Sequence, residues 1–160
     1  MNETLIVDYK NFLDKGKTER ECVTQIIKSA EKKGYKDISH YKKLKAGDKV
    51  YINKMNKAVA LFEIGLEPIE KGMNILGAHI DSPRLDAKQN PIYEKDNVTY
   101  LNTHYYGGIK KYQWTTIPLA IHGVVCKKDG TTVNVVIGEN SDDPVFCISD
   151  ILPHLAQEQM

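Results

Sequence analysis

The sequence predicts an α/β fold built around a mixed sheet. Helical periodicity marks the first part of the chain, and strand-like periodicity follows it after Gly34. Between the two, residues 73–78 form a short apolar run of the kind that is buried in the middle of a sheet. Helices followed by strands around a buried central strand favour a layered architecture, in which the helices cover the sheet.

Two amphipathic helices are expected at the start of the chain. Apolar residues recur at helical spacing between Leu5 and Leu13. Thr18 and Glu21 have the spacing of a capping box, in which each side chain accepts a hydrogen bond from the other residue's backbone N–H. The second helix is therefore expected to begin after Thr18. We expect it to end at Gly34, because glycine commonly follows the last helical residue.

Strands are expected after Gly34. Residues 50–53 and 58–64 flank a short polar connection and predict a hairpin. The polar stretch from 79 to 113 is expected to hold few strands apart from a loose alternation near its end, because Pro83, Asn90, Pro91 and Asn97 are turn signals. Residues 116–125 and 132–137 predict a second pair of strands, and a helix is expected to begin at Ser149 or Asp150.

Composition and charge exclude several classes of protein. The chain has 160 residues, of which 41% are hydrophobic, and its 22 basic and 21 acidic residues give a net charge of +1. This composition excludes intrinsic disorder, and the balanced charge argues against nucleic-acid binding. No apolar stretch is long enough to span a bilayer and no signal peptide begins the chain, so no membrane association and a cytoplasmic location are expected.

Most histidines and cysteines have structural explanations. The sequence context predicts a surface position for His40, a half-buried and hydrogen-bonded position for His104, and a satisfied core or edge position for His122. The cysteines lack the spacing of a disulfide framework or a zinc knuckle. Their apolar surroundings predict that Cys126 and Cys147 are small buried residues.

His79 and Asp81 are the residues with the clearest chemical potential. They stand two apart at the carboxyl end of the expected central strand, where open α/β sheets collect their binding and catalytic groups. Imidazole is a common zinc ligand, and a nearby carboxylate can accept the other ring N–H and thereby fix the tautomer. The pair predicts half of a metal site, and a hydrogen-bonded structural pair at a strand end explains the same spacing.

Three blocks of sequence give the pair a wider context. Residues 77–85 (GAHIDSPRL), 106–108 (YGG) and 153–156 (PHLA), in this order, resemble the amino-terminal third of the aspartyl aminopeptidase and aminopeptidase I family of cocatalytic zinc metallopeptidases. The resemblance implies that His79 binds one of two zinc ions and that Asp81 is its catalytic partner. The zinc ions would activate a water molecule that removes the N-terminal residue, often an acidic one, from peptide substrates.

The resemblance also implies an organisation in two parts. Residues 1–114 would be the first segment of the zinc-exopeptidase domain, and residues 115–160 the start of an inserted, β-rich dimerisation subdomain of a homo-oligomer. In the family this subdomain sends a histidine into the neighbouring subunit's active site. His154 is our catalytic candidate for this role, although the family's histidine lies one turn further on, where this chain has Glu158. Packing at a helix N-terminus explains His154 equally well.

Two departures from the family pattern shape the functional prediction. Many relatives carry an aspartate-rich stretch after the tryptophan equivalent to Trp114, whereas residues 115–119 here are TTIPL, so an acidic preference is not established. The family's remaining ligands and base come from later sequence. We therefore expect a chain that stops short of a natural terminus and is inactive alone. The alternative is a non-catalytic binding or assembly module that retains the fold.

Overall fold

The two helices expected at the start of the chain lie where the sequence predicts them. The computed structural model describes residues 3–149 and places α1 at Glu3–Lys15 and α2 at Glu19–Lys32. The capping box is present: the backbone N–H of Thr18 donates to Glu21 Oε2 at 2.9 Å, and the backbone N–H of Glu21 donates to Thr18 Oγ1 at 3.3 Å. Gly34 adopts a φ of 88° just after α2. The N-terminal and C-terminal signals of α2 are thus both confirmed.

The first sheet is small and mixed. Strand β1 (Lys36–Asp37) pairs in parallel with β2 (Lys49–Lys54), which pairs antiparallel with β3 (Ala58–Glu63). Met55 and Asn56 connect β2 and β3 with φ values of 57° and 55°, the conformation of a tight hairpin turn. The predicted hairpin is confirmed to within one residue at each end.

Helix α2 and strand β2 supply the core of this part of the chain. The side chains of Val23 and Val50 are 1% and 0% exposed, and burying two such side chains contributes about 3 kcal/mol or more to stability. Tyr51 is also buried, and its hydroxyl donates to Glu31 Oε1 at 2.9 Å. This bond satisfies the polar end of the ring and ties β2 to α2.

The chain divides into two compact units between Asp81 and Ser82. In the second unit, β4 (Arg84–Lys95) and β5 (Val98–Tyr106) form one antiparallel pair. Strands β6 (Ile121–Cys126) and β7 (Thr132–Ile137) form another. The prediction for 132–137 is confirmed. The strand expected over 116–125 begins later, because Pro118 cannot donate to a strand ladder.

The prediction that residues 79–113 hold few strands is wrong. The β4–β5 hairpin occupies most of this stretch. The three turn signals within the hairpin do not all lie in a turn. Asn97 does lie in the turn, beside Asp96, with φ values of 60° and 54°. Asn90 and Pro91 instead lie within β4, where the register with β5 shifts between Ala87 and Ile92. A bulge accommodates a proline inside a strand because the inserted residues leave the ladder.

The expected buried central strand is also absent from the described structure. Residues 73–83 contain no helix or strand, and Ile75 and Leu76 are 80% and 100% exposed. A buried strand needs hydrogen-bonding neighbours on both sides. Within residues 3–149 no strand pairs with this run. The run is apolar, as a buried strand would be, but the burial of residues 73–78 depends on partner strands that a local pattern does not specify.

The structure buries one of the three cysteines. Cys22 is buried in α2, and burial raises the pKa of its thiol, an effect that the nearby Glu21 and Glu19 carboxylates increase. Cys126 and Cys147 are exposed, so the prediction that they are buried is wrong. Cys126 ends β6, and a sheet of two strands covers its residues less completely than the layered core that the sequence suggested.

Neither described helix has the length and apolar composition needed to cross a membrane. The helix expected from Ser149 or Asp150, and His154 within it, lie outside the described residues.

Candidate functional site

The residues predicted to bind metal lie on an extended segment between two ordered elements. We call residues 72–83 the His79 segment. It follows a short 3₁₀ turn at Ile69–Lys71 and leads directly into β4. Gly72 begins it with a φ of 104°, a conformation that is strained for any residue with a Cβ. The segment thus leaves the turn by a bend that glycine permits.

The structure brings His79 and Asp81 together. The Nδ1 atom of His79 lies 3.1 Å from the backbone carbonyl oxygen of Asp81 and 3.3 Å from its carboxylate Oδ1. The His79 side chain is 85% exposed and that of Asp81 is 39% exposed. Both nearby oxygens are acceptors, so they favour the tautomer that carries its proton on Nδ1. Nε2 then carries the lone pair and is the nitrogen that can bind a metal.

Arg84 makes two side-chain contacts at the beginning of β4, one within the strand and one with the end of β5. Arg84 Nε donates to Asp86 Oδ1 at 2.7 Å, and the guanidinium carbon lies 4.1 Å from the centre of the Tyr106 ring. One contact is a charge-assisted hydrogen bond and the other is a cation–π interaction. We call Arg84, Asp86 and Tyr106 the Arg84 clamp.

Sequence reasoning did not identify the Arg84 clamp. Arg84 belongs to the first block of the resemblance and Tyr106 to the second, but the blocks do not indicate that the two side chains touch. Their contact depends on the register of β4 with β5, in which Arg84 lies directly opposite Tyr106. Because this stretch was expected to hold few strands, the sequence offered no basis for pairing them.

A zinc site requires more than this pair. Structural and catalytic zinc ions take about three or four protein ligands, chiefly histidine, cysteine and carboxylate. Within residues 3–149, no group of three or more such side chains is placed to hold a metal ion. His79 Nε2 therefore fits one zinc ligand, with Asp81 fixing its ring, but the described residues do not form a complete site.

The other histidines of the described structure have separate surroundings. His40 is exposed, as expected. His104 is exposed, not half-buried as expected, and its Nδ1 lies 3.2 Å from the carbonyl oxygen of Tyr105. His122 Nε2 lies 2.8 Å from Glu139 Oε1, and the His122 side chain is only 13% exposed. His122 is therefore a satisfied histidine, as the sequence predicted.

Asp143 has a structural role in the loop after β7. Its Oδ2 accepts hydrogen bonds from the backbone N–H groups of Gly138 and Asn140 at 2.9 and 3.1 Å. These donors hold the pKa of the Asp143 carboxyl below its usual range, because they stabilise the charged form. The Asp143 carboxylate therefore stabilises the loop that contains it.

Comparison with known proteins extends these observations. A sequence model of the family described as "Aminopeptidase I zinc metalloprotease (M18)" matches residues 12–160. A relative from Clostridium acetobutylicum named "Probable M18 family aminopeptidase 1" is 62% identical over 156 residues, which are 95% of this chain and 34% of the relative. The chain thus spans about a third of the length of this curated relative.

Two solved structures are similar to the chain. The structure of aminopeptidase I from Borrelia burgdorferi B31 has a TM-score of 0.82 at 46% identity, over 96% of this chain and 40% of that one. The structure of an M18 family aminopeptidase from Thermotoga maritima has a TM-score of 0.87 at 42% identity, over 99% of this chain and 35% of that one. The similarity therefore covers nearly all of this chain and a minor part of each structure.

Proposed function

The chain belongs to the aminopeptidase I zinc metalloprotease family, M18, and from this premise we propose that it supplies part of a zinc aminopeptidase that removes N-terminal residues from peptides. The family match over residues 12–160 carries the proposal. The geometry at His79 supports it, because an exposed imidazole whose Nδ1 faces a carboxylate is suited to bind a metal through Nε2.

Within this enzyme His79 would bind one zinc ion and Asp81 would orient its imidazole. When bound, a pair of zinc ions polarises the scissile carbonyl and lowers the pKa of a bound water molecule. Asp81 would keep the Nδ1 proton on the side away from the metal and raise the basicity of the ligand. We propose that the complete enzyme holds two zinc ions and not one.

We also propose that the 160 residues do not hydrolyse peptides by themselves. Catalysis by zinc needs a full ligand set and a positioned general base. Within residues 3–149 no group of three or more histidine, cysteine or carboxylate side chains is placed to hold a metal ion, so the purified chain with excess zinc should show no turnover of an aminoacyl substrate above that of buffer. Turnover above that of buffer would overturn this part of the proposal.

A chimaera tests the proposal in a complete enzyme. This chain would replace the matching third of the Clostridium acetobutylicum relative, with which it shares 62% identity. We expect the chimaera to bind zinc and to hydrolyse aminoacyl p-nitroanilides, and His79→Ala to lower both zinc content and turnover. His40→Ala, a change at an exposed histidine, is the matched control. A folded chimaera that neither binds zinc nor turns over substrate would refute the proposal and favour the non-catalytic binding or assembly module.

The substrate preference is tested with the same chimaera. Leucyl, glutamyl and aspartyl substrates compared by kcat/KM would show whether the enzyme removes acidic N-terminal residues. Residues 115–119 (TTIPL) supply no cationic side chain that could recognise a carboxylate. We therefore do not expect these residues to confer an acidic preference.

The assembly proposals concern the second part of the chain. We propose that residues 1–114 belong to the peptidase domain, that residues 115–160 begin a dimerisation subdomain, and that the enzyme is a cytoplasmic homo-oligomer. We also propose that His154 contributes to a neighbouring subunit's active site. His154→Ala in the chimaera should lower turnover and leave the zinc content unchanged. Loss of zinc would instead indicate misfolding. A monomer by sedimentation would refute the assembly proposal.

A further inference from the structure

A cavity of about 510 Å³ lies where α2, β1 and β2 meet, within the first of the two compact units. Its walls are the last turn of α2 with the bend after it, strand β1, the short 3₁₀ turn at Ile38–His40, and Tyr51 of β2. Glu31 and His40 on its border are exposed, so the cavity is open to solvent. Its volume is in the range of sites that bind small molecules.

One wall of this cavity carries two carboxylates beside a buried hydroxyl. Asp37 lies directly opposite Tyr51 in the parallel pairing of β1 with β2, so their side chains leave the same face of the sheet. Tyr51 is only 8% exposed, and its hydroxyl donates to Glu31 Oε1 at 2.9 Å. This hydrogen bond raises the pKa of the Tyr51 hydroxyl, and burial and the charges of Glu31 and Asp37 raise it further. The hydroxyl therefore keeps its proton between the two carboxylates.

The same wall is suited to accept hydrogen bonds from a cation. Because the Tyr51 hydroxyl directs its hydrogen to one oxygen of Glu31, the Tyr51 oxygen and the second Glu31 oxygen can each accept from a ligand. Hydrogen bonds from the side chain and backbone of Ser39 lower the pKa of Asp37, which favours its charged form. The wall also lies at the C-terminal end of α2, where the helix dipole favours positive charge.

The remaining side chains are compatible with this ligand. Lys36 also borders the cavity, but it precedes Asp37 in β1, and successive side chains of a strand leave opposite faces. Its side chain therefore starts from the face opposite Asp37 and Tyr51. The Tyr35 ring is a second aromatic wall, and the ammonium of Lys49 already lies 5.8 Å from the centre of this ring. Tyrosine rings attract cations and pack against the methylene groups that carry them.

We propose that this cavity binds an organic ammonium ion, carried by a free polyamine or by a lysine side chain of a peptide. The ammonium would donate to Glu31 and Tyr51, and the Asp37 carboxylate would supply a second negative charge. A bare metal ion suits the cavity less well, because within residues 3–149 no group of three or more histidine, cysteine or carboxylate side chains is placed to hold one. Binding here needs no zinc and does not depend on the proposed function.

NMR titration of the 160-residue chain with spermidine tests the proposal. Saturable shifts of the backbone amides of residues 34–40 are expected at low ionic strength. Glu31→Gln keeps an acceptor for Tyr51 but removes the charge, and should weaken binding about 10-fold. Tyr51→Phe keeps the buried ring and should weaken binding several-fold, because one acceptor is lost. Glu70→Gln is the matched control at an exposed carboxylate of another turn, and should leave the affinity unchanged.

Further comparisons establish the sign of the ligand's charge. Lys36→Met should not weaken spermidine binding, and inorganic phosphate should produce no saturable shifts. Phosphate binding that is lost in Lys36→Met would overturn the proposal, because the cavity would then be an anion site. Equal weakening of spermidine binding in Glu31→Gln and Glu70→Gln would also overturn it, since it would indicate attraction to the overall charge.

A last comparison identifies the source of the ammonium ion. Spermidine is compared with a capped tripeptide that has a central lysine. Tighter binding of spermidine would support a free polyamine as the ligand, and tighter binding of the tripeptide would support a peptide side chain. No saturable binding of either probe to the folded chain would overturn the proposal. The amide spectrum of each variant shows whether it is folded, and if Tyr51→Phe is not, Glu31→Gln with its Glu70→Gln control decides the result.

Discussion

Replacing Asp81 by Asn tests the arrangement at the centre of the proposed function. Asp81→Asn removes the negative charge and keeps a side chain of the same shape, so the local packing should persist. The contact that is altered joins His79 Nδ1 to Asp81 Oδ1 at 3.3 Å. The Asp81 carbonyl oxygen, 3.1 Å from the same nitrogen, is not altered by the substitution.

These two contacts set the expected magnitude. Removing the partner of a zinc-binding histidine typically costs about 10- to 100-fold in metal affinity. Because the carbonyl oxygen continues to accept from Nδ1, we expect the lower end of this range, a loss of about 10-fold or about 1.4 kcal/mol. The carboxylate's share of the interaction is thus the electrostatic part, which the amide cannot replace.

Zinc affinity would be measured in the chimaera by competition with a chromophoric chelator. Asp142→Asn provides the same chemical change at an exposed loop residue and should leave the affinity unchanged. Equal zinc affinity in Asp81→Asn and in the unsubstituted chimaera would refute the reasoning, because the carboxylate would then contribute nothing to the orientation or basicity of His79.

Three further predictions concern the chain itself. Thr18→Ala removes the side-chain half of the capping box and should lower the free energy of unfolding by about 1 kcal/mol in urea; no change would count against the cap. The N–H groups of Gly138 and Asn140 lower the pKa of Asp143 in the folded state. The ionised carboxylate therefore stabilises the fold above the unfolded-state pKa of about 4, and this stabilisation is lost as the pH falls through the lower folded-state pKa. Thermal melts should therefore show a smaller loss at acidic pH in Asp143→Asn than in the unsubstituted chain, and parallel losses would contradict the assignment. Iodoacetamide should label the two exposed cysteines of the native chain and spare Cys22, because burial raises the pKa of the Cys22 thiol. Mass spectrometry would measure the labelling, and rapid modification of all three cysteines would contradict the buried position of Cys22.

The elements that the sequence predicts well are those that local interactions specify. Thr18 and Glu21 are neighbours on a single helical turn, and Gly34 adopts its positive φ directly after the helix. The hairpin of β2 and β3 needs only two strand patterns and the intervening turn. His79 and Asp81 also lie close together along the chain, so their contact could be anticipated, while their roles in the enzyme stay predictions.

What the tertiary structure alone decided depends on residues far apart in the sequence. The pattern of residues 73–78 predicts a buried strand, yet the described structure leaves this run extended and exposed because no strand pairs with it. Asn90 and Pro91 predict a turn, but they lie at a bulge in β4. The Arg84 clamp needs the register of β4 with β5. Sequence patterns specify caps, turns and the spacing of a ligand pair because these involve adjacent residues; strand pairing, burial and contacts across a hairpin arise only when distant segments meet.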